Sequence, residues 1–356
     1  MKYNMWLTKS VMALIFLFSV TIANAEQLDC NPPPGSVSIH AEICSFSIPE
    51  GTNIIPLDIS AGGTVVGALE SIERTHAFIW TPEEGLTNLG ELINGDISSI
   101  ATGISADGTV IVGRATNSHR HFQAFRWSET EGMIILGVLE GATFSRATAV
   151  NIDGSVIVGA SSDNVGSDYA FIWTHGAGMI NLGSLEGGKN SRAKGVSSDG
   201  SVVVGISESS EGERAFLWTE ADGMVSLGVL EGGESSRALG VSADGTVVVG
   251  ESDSSEGMVA FRWTAEDGMV GLGKLDDARM FSRARGISAD GSVVVGDSDS
   301  WGSYRAFRWT AEDGMTNLGR WSRGKDSTAV SVSADGNLIL GYSTNEPRVF
   351  IWRAKP

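Results

Sequence analysis

The chain has 356 residues and a formal net charge of −18. Such acidity argues against nucleic acid or an anionic membrane surface as a general partner. Hydrophobic residues make up 42% of the chain and recur periodically, which argues for a packed core rather than disorder.

The first segment, residues 1–25, has the pattern of a signal peptide. Lys2 and Lys9 precede the apolar run from Val11 to Val20, and the small-residue site Ala23-Asn24-Ala25 follows. The run is about half of the roughly 20 residues that a membrane-spanning helix needs. We therefore expect cleavage after Ala25, no membrane insertion afterwards, and a secreted or periplasmic, extracytoplasmic protein.

Residues 26–57 form an N-terminal arm that contains both cysteines, Cys30 and Cys44. An exported chain meets an oxidising compartment, so we expect a Cys30–Cys44 disulfide. A loop of this length contributes roughly 3 kcal/mol to stability in the chain-entropy description. Two parts of the arm, Ser36–His40 and Ile43–Ile48, are strand-like.

Residues 58–356 contain seven copies of one repeat. Each copy has a phrase such as Gly240-Val-Ser-Ala-Asp-Gly-Thr-Val-Val-Val-Gly250, and a second phrase that ends in tryptophan. The tryptophans, which we expect in the core of each repeat, are Trp80, Trp127, Trp173, Trp218, Trp263, Trp309 and Trp352. A period this steady indicates a repeat architecture.

The fourth unit, Ser191 to Gly233, shows what each repeat forms. Its four short apolar runs, separated by turn residues, predict the strands Ala193–Ser197, Ser201–Ile206, Ala215–Thr219 and Met224–Leu227. Asp199-Gly200 is a hairpin-turn signal. The run Val202 to Val204 has no polar alternate, which indicates a strand covered on both faces.

Four strands in about 45 residues are typical of a β-propeller blade. The sequence therefore predicts an all-β, seven-bladed β-propeller of four-stranded blades; a β-solenoid is the alternative. The last unit stops shortly after Trp352 and lacks a fourth strand, so we expect the N-terminal segment to complete the last blade and close the ring.

Six units carry an Ala-Phe-x-Trp phrase followed by a leucine-glycine pair such as Leu227-Gly228. The phrases are Ala77–Trp80, Ala124–Trp127, Ala170–Trp173, Ala215–Trp218, Ala260–Trp263 and Ala306–Trp309. With the Ser-x-Asp-Gly turns, they resemble the HAF extracellular repeat family of bacteria over essentially the whole mature chain. The resemblance implies an exported repeat protein and no enzyme activity. Only the first unit keeps the histidine, His76.

Four consecutive units carry Ser-Arg-Ala where the innermost strand should begin, which places Arg146, Arg192, Arg237 and Arg283 as a partial ring of cations. Planar guanidinium groups suit bidentate contacts with a carboxylate or sulfate. The alternative is structural ion pairing. The acidic residues that precede them in the same loops are Glu140, Glu186, Glu231 and Asp276.

Loops between the second and third strands should lie on the same face. They carry the candidate ligand-binding side chains His119, His121, Tyr169, Trp301 and Tyr304. Loops on a rigid scaffold are where binding specificity usually resides, and Asp297 and Asp299 beside Trp301 could serve a sugar. Simple surface variation is the alternative.

No metal or other cofactor is expected, because the Asp-Gly pairs are typical turn formers and no calcium or zinc ligand spacing is complete. No nucleophile motif or recurrent histidine base is present. We therefore predict a monomeric, non-catalytic binding or scaffold module for a protein or a glycan. The alternative is a carbohydrate-active hydrolase or lyase that uses the same face.

Overall fold

The computed structural model describes residues 41–46, 51–89, 98–117, 119–275, 281–300, 303–319, 326–343 and 348–354. These residues form 28 strands in seven four-stranded sheets, and none of them lies in a helix that could cross a membrane. The predicted signal peptide, Cys30 and the strand-like Ser36–His40 lie outside the described residues.

The sheets, which we call blades 1 to 7, follow chain order, except that blade 7 contains the first strand of the chain. Blade 1 consists of β2 (Asn53–Ile59), β3 (Val65–Glu70), β4 (Thr75–Thr81) and β5 (Gly85–Asn88). Blade 2 consists of β6 (Ser99–Ile104), β7 (Ile111–Thr116), β8 (Phe122–Ser128) and β9 (Gly132–Gly137). Blade 3 consists of β10 (Phe144–Val150), β11 (Val156–Ser162), β12 (Asp168–Thr174) and β13 (Gly178–Asn181). Blade 4 consists of β14 (Ser191–Val196), β15 (Val202–Ser209), β16 (Gly212–Thr219) and β17 (Gly223–Ser226). Blade 5 consists of β18 (Ser236–Val241), β19 (Val248–Ser254), β20 (Gly257–Thr264) and β21 (Gly268–Gly271). Blade 6 consists of β22 (Ser282–Ile287), β23 (Val294–Ser300), β24 (Ser303–Thr310) and β25 (Gly314–Asn317). Blade 7 consists of β1 (Ala41–Phe46), β26 (Thr328–Val332), β27 (Leu338–Ser343) and β28 (Arg348–Ala354).

The blades form a closed ring. The first strand of each of blades 1 to 6 contacts the first strand of the next blade, counting β26 as the first strand of blade 7, and β26 contacts β2. These seven strands therefore surround a common axis, and the predicted seven-bladed β-propeller is confirmed. A solenoid would not return to its first unit.

The ring has two faces with different connections. Because the strands of a blade are antiparallel, the start of the first strand and the loop between the second and third strands lie at one end, which we call the upper face. The Asp-Gly turns between the first and second strands lie at the other end, the lower face. The candidate residues that the structure describes therefore share the upper face.

One boundary differs from the sequence-based division of the chain. The predicted division between arm and propeller after residue 57 falls inside β2, because the repeated phrase begins only in the second half of the innermost strand. β1 pairs with β28 as the outer strand of blade 7. Cys44 lies in β1 and is buried, and no described cysteine is free. The Cys30–Cys44 bond stays a prediction.

Each hydrophobic cluster lies between two consecutive blades, so a blade buries its faces only against its neighbours. The most buried large side chains are phenylalanines two residues before the predicted core tryptophans. They are Phe78, Phe125, Phe171, Phe216, Phe261, Phe307 and Phe350. Of the tryptophans, only Trp80, Trp173 and Trp352 are fully buried; the other four are half-buried. The centre of each repeat is therefore phenylalanine rather than tryptophan.

Buried serines join consecutive blades through hydrogen bonds. Each serine stands at the start of a first strand or directly before it, and its Oγ accepts the backbone N–H of an alanine in the third strand of the preceding blade at 2.8 to 3.1 Å. The pairs are Ser99 with Ala77, Ser145 with Ala124, Ser191 with Ala170, Ser236 with Ala215, Ser282 with Ala260 and Ser327 with Ala306. These bonds satisfy amides that would otherwise be buried without a partner.

The junction of blades 7 and 1 is built differently. Ile54 replaces the serine and packs in one cluster with Val349 and Ile351. Asp58 crosses the junction, since its carboxylate accepts the Ser331 hydroxyl at 2.6 Å and the Ile104 amide at 3.0 Å. Burial raises the pKa of Asp58 despite these hydrogen bonds. Closure therefore rests on apolar packing and one buried carboxyl group.

Glycine in the second strand permits a close approach to the first. Each first strand has a bulge, and in blade 4 the bulge lies between Ala193 and Gly195. A Cβ on Gly205 would lie 2.1 Å from the carbonyl oxygen of Arg192 and 2.9 Å from the Phe216 ring. Because Gly205 has no Cβ, the second strand can pack directly against the Arg192 carbonyl group and the Phe216 ring.

We predict that Gly205→Ala destabilises the protein, because the added methyl group must displace backbone as well as a core ring. Overpacking of this kind costs about 1–3 kcal/mol or more. Gly176→Ala is the matched control, since a Cβ there meets nothing within 4 Å and its φ is ordinary. Urea unfolding of both variants measures the difference. Equal stability of the two variants would contradict the packing described.

The aspartates of the lower turns act as local hydrogen-bond acceptors. Asp199 accepts the Ser197 hydroxyl at 2.7 Å and the Ser201 amide at 3.0 Å, and Gly200 supplies the positive φ of the turn. These hydrogen bonds lower the pKa of Asp199 from 3.8 to about 2. The Asp-Gly pairs are thus turn formers, as predicted.

A lowered pKa makes the stability from Asp199 depend on pH. The stabilisation from the ionised Asp199 carboxylate is fully present above pH 3.8, its pKa in the unfolded chain. It is lost as the pH falls towards about 2, because in this range the unfolded chain binds the proton while the folded chain stays ionised. Asp199→Asn keeps the turn acceptor without the charge. We expect the difference in unfolding free energy between wild type and this variant to shrink as the pH falls from 4 to 2. A difference independent of pH would refute the assignment.

Candidate functional site

The four predicted arginines occupy equivalent positions on the upper face. Arg146, Arg192, Arg237 and Arg283 lie near the start of β10, β14, β18 and β22, and all four are half-buried. Each follows a serine that hydrogen-bonds to the preceding blade. The blade junctions therefore fix the backbone of every arginine.

Asp168 joins two of these arginines across a blade junction. Its Oδ2 accepts Arg146 Nη2 at 2.9 Å and also Arg192 Nε, and its Oδ1 accepts the Ser162 hydroxyl. Burial alone would raise the pKa of Asp168, but the Ser162, Arg146 and Arg192 contacts outweigh it and lower the pKa. Asp168 is therefore a buried anion shared by blades 3 and 4.

A second network connects blades 4, 5 and 6. Arg237 donates from Nε to Glu213 at 2.5 Å and from Nη1 to Glu251 at 3.2 Å. The other oxygen of Glu251 accepts Arg283 Nε at 2.5 Å. In this network each guanidinium has a carboxylate partner.

The ion-pairing alternative is thus correct in kind, but the three expected partners that the structure describes are wrong. Glu140, Glu186 and Glu231 are exposed and form no ion pair with these arginines, and Asp276 lies outside the described residues. The actual partners, Asp168, Glu213 and Glu251, come from the second and third strands. Strand register, which the sequence does not reveal, brings them to the arginines.

A cavity of about 310 Å³ opens on the upper face between blades 2 and 3. Its charged lining includes Arg114, Arg146 and Asp168, and its apolar lining includes the rings of Phe122 and Phe144. The remaining lining residues are Ser145, Ser162, Asp163, Asn164 and Gly166. This volume falls within the usual range of small-ligand sites.

Arg114, which sequence reasoning missed, differs from Arg146, the other arginine of the cavity lining. It forms no ion pair among the described residues, and its guanidinium lies over the Phe122 ring, 4.8 Å from the centroid. Burial and the nearby Arg146 lower the pKa of Arg114. A half-buried cation beside a second cation and without a counter-ion favours a bound anion.

The loop that leads into Phe122 is held in a defined shape. The Asn117 side chain accepts the backbone amides of His119 and His121, at 2.9 and 3.0 Å. Arg120 between them has a φ of 62°, which is uncommon outside glycine. The His121 ring contacts Phe144 edge-on at 5.0 Å, so both predicted histidines lie beside the cavity.

The remaining candidates fall in two places. The Tyr169 hydroxyl donates to Asp163, a cavity residue, at 3.4 Å. Tyr304 lies in blade 6, is exposed and packs against Phe281. Trp301 lies outside the described residues.

The two aspartates expected to serve a sugar beside Trp301 are both buried. Asp297 accepts Arg285 Nε, and Asp299 accepts the Phe281 amide at 2.8 Å. They stabilise blade 6 rather than face a ligand.

Comparison with solved structures reveals propellers of similar shape. An oligogalacturonate lyase in complex with manganese is 14% identical, with a TM-score of 0.64 and coverage of 93% of this chain and 97% of that chain. An oligogalacturonate lyase from Vibrio parahaemolyticus is 13% identical, with a TM-score of 0.64 and coverage of 92% and 97%. At this identity the likeness shows the fold alone. No family model and no curated protein matches the chain.

Within the described ranges, no group of three or more His, Cys, Asp or Glu side chains could hold a metal ion. The described upper-face residues carry guanidinium, carboxylate and aromatic groups.

We predict that Asp168→Asn destabilises the protein, since Arg146 and Arg192 lose their shared counter-ion. Removing a charged hydrogen-bond partner from a buried site costs about 1–3 kcal/mol. Glu131→Gln is the control, because Glu131 pairs with Arg126 but its side chain is 49% exposed, against 8% for Asp168. Such exposed pairs contribute about 0–1 kcal/mol. Equal urea midpoints for the two variants would contradict the shared-anion arrangement.

Proposed function

We propose that this protein is an exported, non-catalytic binding module that recognises an acidic glycan on its upper face. The observation that carries the proposal is the unpaired guanidinium of Arg114 in the cavity between blades 2 and 3. The chain as a whole has a net charge of −18, whereas the cavity lining balances two arginines against two aspartates, and both aspartates already accept hydrogen bonds from the protein. A site of this kind selects an anion locally.

The local charges favour one carboxylate as the ligand group. Among the described residues, Arg146 and Arg192 bond to the same carboxylate, Asp168, and Arg114 forms no ion pair. Asp163, also in the cavity lining, uses its carboxylate on the Val165 and Ser167 amides of its own turn. A ligand carboxylate at Arg114 would form a charge-assisted hydrogen bond, which is shorter and stronger than a neutral one.

The shape of the site favours a sugar over a protein surface. The cavity is concave and of small-ligand size, whereas a protein partner would need a broad patch. Phe122 is 40% exposed, so an apolar ring face is available beside the guanidinium. A sugar acid combines the two chemistries that this site offers, an apolar C–H face and a carboxylate.

The cellular setting in this proposal comes from the sequence. The leader of residues 1–25 supports export to the periplasm or the cell exterior. The resemblance to HAF-type repeats agrees with that setting, and neither requires a catalytic centre. The oligogalacturonate lyases of similar fold act on an acidic glycan, which is compatible with the proposed ligand class.

The test is calorimetric titration of the mature full-length protein with trigalacturonate. We expect binding that weakens as salt is added, because the contact is between charges. Arg114→Met should reduce the affinity tenfold or more, since a hydrogen bond to a charged group contributes about 1.5–3 kcal/mol. The carboxyl-reduced trisaccharide should not bind.

Arg126→Met provides the matched control. Arg126 lies in the same blade and loses the same charge, but it pairs with Glu131 away from the cavity. Its affinity should equal that of the wild type. Equal affinities of Arg114→Met and Arg126→Met, or equal binding of the reduced trisaccharide, would overturn the proposal.

A lyase is the second candidate, favoured by the shared fold with the oligogalacturonate lyases. β-Elimination requires a base that removes the proton next to the sugar carboxylate. The cavity carboxylates Asp163 and Asp168 both have lowered pKa values, which makes them weak bases. Ultraviolet absorbance recorded during the same titration separates the candidates: unchanged absorbance supports binding alone, and growth of an unsaturated product supports the lyase.

A further inference from the structure

A second cation on the upper face lacks a counter-ion. Lys194 occupies the bulge of β14, one blade beyond the cavity, and is half-buried. Its ammonium group has no hydrogen bond or ion pair with any described residue. Burial, followed by Arg146 and Arg192, lowers the pKa of Lys194, and Asp168 only partly opposes them.

Blade 6 shows how the fold neutralises a cation at this position. Arg285 occupies the equivalent bulge of β22, and its guanidinium bonds to Asp297 in the neighbouring strand of the same blade. The residue of blade 4 equivalent to Asp297 is Ile206, which lies opposite Arg192. An isoleucine provides no charge, so the cation of blade 4 is left without the carboxylate that blade 6 supplies.

The same strand position explains why the charge is uneven around the ring. Blades 5 and 6 carry Glu251 and Asp297 there, whereas blade 2 carries Arg114. Blade 2 therefore has a cation where blades 5 and 6 have anions. Blades 3 and 4 carry Ala160 and Ile206 at this position, so blades 2 to 4 supply no carboxylate there, whereas blades 5 and 6 do.

Arg146 lies between the two unpaired cations. Arg114 and Arg146 line the same cavity, and Arg192, which shares Asp168 with Arg146, lies two residues before Lys194 in β14. The Arg146–Asp168–Arg192 bridge therefore lies between two anion positions, one at Arg114 and one at Lys194.

We propose that Lys194 binds a second carboxylate of the same ligand, so that the upper face recognises two adjacent acidic units of a glycan. This inference rests on the proposed function and names its ligand class: an oligosaccharide of consecutive uronic acids, rather than a sugar with a single acidic group. The first uronate carboxylate binds Arg114, and the next binds Lys194.

The experiment is calorimetric titration of the full-length mature protein with galacturonate and with digalacturonate. Wild type should bind the disaccharide at least tenfold more tightly than the monosaccharide. Lys194→Met should reduce digalacturonate affinity about tenfold and leave galacturonate affinity unchanged. Arg114→Met should weaken both.

Ile206→Asp gives a second test that removes no cation. The new carboxylate should pair with Lys194 as Asp297 pairs with Arg285, and digalacturonate affinity should fall as it does in Lys194→Met. Lys189→Met is the matched control, because Lys189 is exposed in the loop before β14 and carries the same charge. Its affinities should equal those of the wild type.

The outcomes separate the two proposals. If digalacturonate binding depends on Arg114 but not on Lys194 or Ile206, the second position is wrong and the proposed function stands. Binding of neither uronate overturns the proposed function and this inference with it. Equal effects of Lys194→Met and Lys189→Met would attribute the loss to overall charge and overturn the site at Lys194.

Discussion

The structure depends on the way one blade covers the next. No blade has a core of its own, since the phenylalanines and valines of one sheet are buried by the alanines and valines of its neighbour. The serine hydroxyls in the first strands bind amides of the preceding blade and fix the spacing between sheets. Because the charged residues of the upper face follow directly after those serines, their positions are set by the blade junctions and not by mobile loops.

Such a scaffold makes charge placement the variable part of the protein. The backbone of each blade repeats, and the side chains at two upper-face positions change from blade to blade: the bulge residue of the first strand and its neighbour in the second strand. Where a cation in the bulge meets a carboxylate in the second strand, the two form a neutral pair, as Arg285 and Asp297 do. Where the second strand carries an uncharged residue instead, the cation is left unpaired on a rigid surface, as Lys194 is beside Ile206. An acidic protein can in this way keep an unpaired cation with little change in fold.

The sequence alone was sufficient for the architecture. The regular spacing of the Asp-Gly turns and of the Ala-Phe-x-Trp phrases predicts seven units of four strands, and the strands of blade 4 differ from the prediction only at their ends. The pattern did not separate the fully buried Phe216 from the half-buried Trp218, because both lie on the same face of one strand.

The candidate site could be predicted only in part. The repeated Ser-Arg-Ala phrase located four arginines and the correct face. Their partners depend on strand register and on contacts between blades, which no local pattern encodes, so Asp168 was missed. Arg114 was missed because it occurs in one unit only. A comparison of the residues that the units share does not select a residue that departs from the repeat.

The most direct measurement is a crystal structure of the protein with digalacturonate. The account predicts the disaccharide on the upper face, with one carboxylate at the Arg114 guanidinium, its sugar ring against Phe122 and the second carboxylate towards Lys194. A disaccharide bound on the lower face or at the outer strands, with the cavity between blades 2 and 3 empty of it, would contradict the account.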